Sequence, residues 1–290
     1  MRYLLLFLAM FSLCAMQGCS PDKKEETPAV QEESAEAKEG EGEAQEGEDA
    51  EAKDAISAEQ AEQEALKEAE ELLLKAEKEL QETIQKLETE CEDDNSRACT
   101  ALATLYEEGY DLEQDYQMAH TLYTKGCELN NGKACNNLGW LYLHGLGVDM
   151  DFQQANRHFT KGCDLNYGMA CSNLGYAFSR GRGVIQNHQK ANSLFTKGCK
   201  LKYGGACSNL GWSYQQGYGL RQDHKKAAEL YSTGCDLKYA RACSNLGFAY
   251  SYGQGVRQSF PDAKKYFGQA CDLGDQRGCN NYRMLNQRGY

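Results

Sequence analysis

No stretch of this 290-residue chain stays apolar for long enough to span a bilayer comfortably. The nearest approach is the first 16 residues, MRYLLLFLAMFSLCAM, which carry basic Arg2, are broken by Ser12 and lead into Gln17, Gly18 and Cys19. A basic start and a short apolar run ending at small residues describe a secretory signal over residues 1–18, not a transmembrane helix. Histidine is scarce: His120, His144, His158, His188 and His224 include no pair at i, i+4. From Cys91 onward no two cysteines stand two to four residues apart, the spacing of a zinc knuckle. Zinc is therefore the weaker explanation of the cysteines, and neither a metal nor a cofactor is expected. Hydrolase motifs are missing as well. S-D-N and K-T-G do not occur, and the one S-x-x-K, Ser20-Pro21-Asp22-Lys23, lies where no fold would position it, so catalytic residues stay unknown.

What is present is distributed unevenly. Residues 21–96 hold 28 acidic and 8 basic side chains, and residues 97–290 hold 15 acidic and 22 basic. The acidic block from 19 to 55 is Glu, Ala, Gly, Gln and Lys with almost nothing to bury. It reads as a disordered tether with a reach of about 30 Å or more. The basic surplus downstream is modest and scattered, which argues against a nucleic-acid partner. Residues 56–90 contain neither Gly nor Pro, and Leu66, Leu73, Leu80 and Leu87 recur every seventh position. This helix either caps the domain that follows or pairs with a second copy as a short coiled coil.

Met16-Gln17-Gly18-Cys19 resembles a bacterial lipobox, in which the cysteine becomes diacylated and N-terminal, with Met16 standing where Leu is usual. Cleavage after Ser20 is the alternative. The resemblance implies lipidation at Cys19 and export to the periplasm or, by the lipid anchor, to the outer membrane or cell surface, with release also open.

The remaining cysteines carry the strongest signal. They fall at 91, 127, 163, 199, 235 and 271, and again at 99, 135, 171, 207, 243 and 279, both series with a period of 36 and no slip. Such a period is the mark of stacked helical hairpins. In one unit Cys207, Leu210, Gly211 and Tyr214, then Ala227, Leu230 and Tyr231, stand at helical spacing, and Gly217-Tyr218-Gly219 divides the halves. Five full units run over 97–132, 133–168, 169–204, 205–240 and 241–276, with a half-unit at 277–290.

The opening Ala206-Cys207-Ser208-Asn209-Leu210-Gly211 and the closing Gly234-Cys235-Asp236-Leu237 resemble the Sel1-like repeat, a relative of the tetratricopeptide repeat. The paired cysteines resemble in particular the Helicobacter cysteine-rich protein family. The resemblance covers about two-thirds of the chain, residues 91–290. It implies an all-α, right-handed α/α solenoid of disulfide-locked hairpins. Ala101-Leu102-Ala103 and Asn281-Tyr282-Arg283 depart from the Asn-Leu-Gly opening in the terminal units. Paired cysteines in such a family imply the bridges Cys91–Cys99, Cys127–Cys135, Cys163–Cys171, Cys199–Cys207, Cys235–Cys243 and Cys271–Cys279. Each closes a nine-residue loop, which restricts the unfolded chain by roughly 2.5 kcal/mol.

On each first helix the residues two, five and nine positions after the cysteine lie opposite the packed stripe. The second position is Asn137, Asn173, Asn209 and Asn245; the fifth is Trp140, Tyr176, Trp212 and Phe248; the ninth varies through His144, Arg180, Gln216 and Tyr252. Amides beside aromatics suit an extended peptide, with specificity in the varied ninth position. The competing explanation is that the asparagines bond locally and the rings pack between helices. Three functions follow. The first is a lipid-anchored scaffold for peptides, peptidoglycan fragments or partner proteins. The second, implied by family resemblance alone, is a β-lactam-binding protein or β-lactamase. The third is a coiled-coil spacer that self-associates through residues 56–90.

Overall fold

The computed structural model describes the backbone of residues 44–110 and 112–290, and side chains from Gln60 onward. The signal, Cys19 and the tether up to residue 43 lie outside the described residues. Twelve helices and no strands occur among those described. The chain divides into two compact units, after Ile84.

The first unit is the bulk of α1 (Ala44–Glu92). It starts inside the stretch whose composition reads as tether, because between Ala44 and Ala55 alanine, glutamate, glutamine and lysine outnumber the weak helix formers Gly47, Asp49 and Asp54. Ion pairs one turn apart, Lys75–Glu79 at 4.0 Å and Lys78–Glu82 at 3.9 Å, support it. Leu66, Leu72 and Leu74 are exposed.

The second unit is a stack of hairpins. The first helices are α2 (Ser96–Glu108), α4 (Gly132–His144), α6 (Gly168–Arg180), α8 (Gly204–Gln216) and α10 (Ala240–Tyr252). Their partners are α3 (Tyr116–Glu128), α5 (Phe152–Asp164), α7 (His188–Lys200), α9 (His224–Asp236) and α11 (Phe260–Asp272), and α12 (Gln276–Gln287) closes the array. Local chemistry sets the boundaries. Asp115, Asp151, Asn187, Asp223 and Ser259 accept backbone N–H groups at the starts of the second helices. Gly145, Gly181, Gly217 and Gly253, at φ of 67°, 69°, 76° and 66°, end the first helices in the left-handed region. The opposite hinge also needs a left-handed residue, and there the chain uses Asn130, Asn166, Lys202 and Lys238.

The six disulfides form in this hinge with the expected pairing, each joining the last turn of one helix to the first turn of the next. Inside each hairpin the Asn-Leu-Gly opening has a steric purpose. A Cβ on Gly139, Gly175, Gly211 or Gly247 would stand 2.7 Å from the ring of Phe159, Phe195, Tyr231 or Phe267. The bare backbone lets that ring reach the centre of the unit, where all four are at most 3% exposed. A second row of glycines, Gly126, Gly162, Gly198 and Gly234, lets each second helix lie against Ala134, Ala170, Ala206 and Ala242 of the next unit.

First helices of neighbouring units touch directly, α4 with α6, α6 with α8, α8 with α10 and α10 with α12, whereas successive second helices scarcely meet. The stack therefore draws in on the first-helix side and opens into furrows on the other.

Candidate binding face

The asparagines of the second position do not stand free. Asn173 Nδ2 donates to Asn136 Oδ1 at 2.9 Å, Asn209 Nδ2 to Ser172 Oγ at 3.2 Å and Asn245 Nδ2 to Ser208 Oγ at 3.4 Å. Asn137 Nδ2 donates to the Tyr123 hydroxyl at 3.1 Å. Each amide thus ties its unit to the one before, through the residue that directly follows that unit's cysteine in three of the four cases. These acceptors, Asn136, Ser172 and Ser208, are buried and were missed as a set. The signal was a small polar side chain after each cysteine, 37 residues before the next Asn. The side-chain oxygens of Asn173, Asn209 and Asn245 accept no hydrogen bond among the described residues. Asn281 of the half-unit bonds its own helix, at Arg277 O, 2.8 Å.

The fifth position is the exposed part of the face. Trp140 is 42% exposed, Tyr176 41% and Trp212 47%. Phe248 is half-buried, held edge-on by Phe267 at 5.0 Å. Fifth and ninth positions pair one turn apart on α4, α6 and α10. His144 lies against Trp140 at 3.8 Å, Arg180 over Tyr176 at 5.7 Å and Tyr252 parallel to Phe248 at 6.4 Å. Arg182, from the loop after α6, adds a second guanidinium over Tyr176 at 5.5 Å. The result is a row of rings on the drawn-in side, with a different polar neighbour in each unit.

Two other groups assemble only in the folded chain. Tyr142 is flanked by two histidines: His120 meets it edge-on at 5.4 Å, with Nε2 3.1 Å from its hydroxyl, and His158 stacks on it at 5.4 Å. Loss of hydration lowers the pKa of both imidazoles, that of His158 to about 4, where nearby His120, Lys161 and Arg157 add to the effect. Burial also raises the Tyr203 hydroxyl to about 12, with Tyr239 and Tyr167 close by. The Tyr123 hydroxyl, buried and donating to Glu107 Oε2 at 2.5 Å, rises further.

No cluster of three or more His, Cys, Asp or Glu suited to a metal ion occurs among the described residues. All twelve cysteines from Cys91 onward are bridged. Ser20 and Lys23 lie outside the described residues. No described helix is long and apolar enough to cross a membrane.

Comparison with known proteins agrees with this architecture. The Sel1 repeat model matches residues 96–131, 132–167, 168–203, 205–239 and 240–275. Among solved structures, the chain is similar to a Sel1 repeat protein from Oxalobacter formigenes, with 25% identity and a TM-score of 0.59 over 67% of this chain and 87% of that one. It is also similar to c5321, a protective antigen of uropathogenic Escherichia coli strains with an SLR fold. There the identity is 19% and the TM-score 0.54, over 71% of this chain and 52% of that one. Helicobacter pylori cysteine rich protein B is 33% identical over 45% of this chain and 94% of its own, with a TM-score of 0.39. No curated protein sequence matches the chain.

Proposed function

The chain belongs to the Sel1 repeat family, and from that membership we propose that it is an exported scaffold, lipid-anchored at Cys19, whose first-helix face binds an extended peptide. The peptide is a segment of a partner protein or the peptide part of a peptidoglycan fragment. The observation that carries this reading is the run of three exposed rings, Trp140, Tyr176 and Trp212, on consecutive units. Large rings kept in water on the drawn-in side of a rigid array lose little conformational freedom when a ligand covers them. Beside them the asparagine carbonyls accept peptide N–H groups, and His144, Arg180, Gln216 and Tyr252 discriminate side chains. Export is supported by the six disulfides, which persist in an oxidising compartment.

Replacing the asparagines would test this poorly, because their amides join adjacent units and a loss of binding would be mixed with a loss of rigidity. The rings are the better target. Peptides selected from a displayed library on the oxidised protein are expected to lose about tenfold or more in affinity on a variant carrying Trp140→Ala, Tyr176→Ala and Trp212→Ala. The melting temperature should fall, since each ring is more than half covered, but the helical circular dichroism spectrum should persist because none lies in the core. Undiminished binding to the triple variant would refute the proposed face.

A further inference from the structure

We propose that the furrow between the second helices of the second and third units, α5 and α7, is a binding site for a small amphiphilic carboxylate, an unbranched apolar chain with one terminal carboxylate. The site is on the other side of the array from the aromatic row and does not depend on the function proposed above.

The furrow is open to solvent along one side and holds about 560 Å³, a volume within the range of small-molecule sites. Its apolar lining is Leu174 and Phe178 from α6, Val184 from the loop after it and Leu194 from α7. Two polar groups of the lining already have partners: buried Asn156, 6% exposed, donates Nδ2 to Arg182 O at 2.7 Å, and the hydroxyl of exposed Thr160 donates to Asn156 O at 2.7 Å. A ligand body entering there meets mainly the hydrocarbon of these four side chains, so an apolar chain suits it.

The rim is cationic. Arg157, Lys190 and Lys197 line the opening, with Asp164 as the one acid among the lining residues. Lys197 Nζ is 3.8 Å from Asp164 Oδ1, while Lys190 Nζ sits 4.2 Å above the Phe178 ring. Arg157 has neither an ion pair nor a hydrogen bond among the described residues. Two of the three cations thus have no carboxylate of their own, above a surface that favours hydrocarbon. One anionic head on an apolar chain complements both.

The neighbouring units do not repeat this set. One unit earlier, Thr121 and Gln154 take the places of Arg157 and Lys190, and the His120, Tyr142 and His158 rings pack together there. One unit later, Ser193 and Thr233 replace Arg157 and Lys197. There Lys226 and Lys200 stand in the places of Lys190 and Asp164, so that junction is also cationic, but it lacks the arginine.

Isothermal titration of the full oxidised chain with hexanoate, octanoate, octanol and inorganic phosphate tests the proposal. Octanoate should bind saturably at one site and about fourfold more tightly for each methylene added to hexanoate. Octanol and inorganic phosphate should each bind at least about tenfold more weakly than octanoate. Arg157→Gln with Lys190→Gln should weaken octanoate at least about tenfold, with an unchanged circular dichroism spectrum because both side chains are exposed. Trp212→Ala, on the other face, should leave octanoate binding as it is. Absence of saturable binding, equal binding of octanol or phosphate, or full affinity in the double variant would each overturn the proposal.

Discussion

His158 gives the second unit a stability that depends on pH in a defined window. Its imidazole stacks on Tyr142 and is half-buried, and its pKa falls from 6.5 to about 4 on folding. Because the folded pKa is the lower one, the unfolded chain takes up a proton first as the solution is acidified. The stabilisation is therefore fully present above pH 6.5 and is lost as pH falls toward 4. A shift of this size corresponds to about 3.4 kcal/mol if the site were wholly screened from water, and discounting for its partial exposure leaves on the order of 2 kcal/mol. The sequence supplies its own control, since Leu194 and Leu230 occupy the same place in the next two units. His158→Leu should fit the packing and remove this dependence. Urea unfolding followed by circular dichroism at pH 7 and pH 4 measures it. The wild type should lose about 2 kcal/mol more than the variant between the two pH values. Carboxylates and His120 are present in both proteins and largely cancel in the difference. Parallel losses in wild type and variant would refute the reasoning.

Gly175→Ala should destabilise by about 1–3 kcal/mol despite the better helix propensity of alanine. Its Cβ would stand 2.7 Å from Cε1 and 2.8 Å from Cδ1 of buried Phe195, so an unchanged melting temperature would contradict the packing described. Lys202→Asn should stabilise by up to about 1 kcal/mol, because lysine at φ 61° is strained where asparagine is tolerated. A rise of about 2–4 °C in melting temperature is expected, and a fall would show that the lysine side chain matters there for another reason.

The fold was readable because its determinants are local and repeat. Cysteines every 36 residues, glycines at the end of each first helix and Asn-Leu-Gly openings fix hairpin, hinge and packed stripe within one unit. The glycine of that opening could be placed on the packed stripe from spacing alone. Its reason, room for Phe159, Phe195, Tyr231 or Phe267 from 20 residues further on, needed the crossing of the two helices. The candidate face was legible in part. Spacing put Trp140, Tyr176 and Trp212 opposite the core, and they are exposed. Spacing could not say that Asn173 and Asn209 direct their amides to the preceding unit, because that bond joins side chains 37 residues apart.

By itself, then, the sequence determined what recurs within a unit: the hairpin and its hinges and the side of each helix turned to the core, with the bridge partners implied by the family resemblance. These depend on spacing, caps and backbone conformation over a few residues. Only the tertiary structure decided what happens between units. It drew the first helices together and left the second helices apart, set two histidines around Tyr142 and gathered Arg157, Lys190 and Lys197 at one furrow. Those outcomes follow from the angle at which one hairpin stacks on the next, which glycine–alanine contacts and side-chain bonds fix across the interface and no local periodicity records.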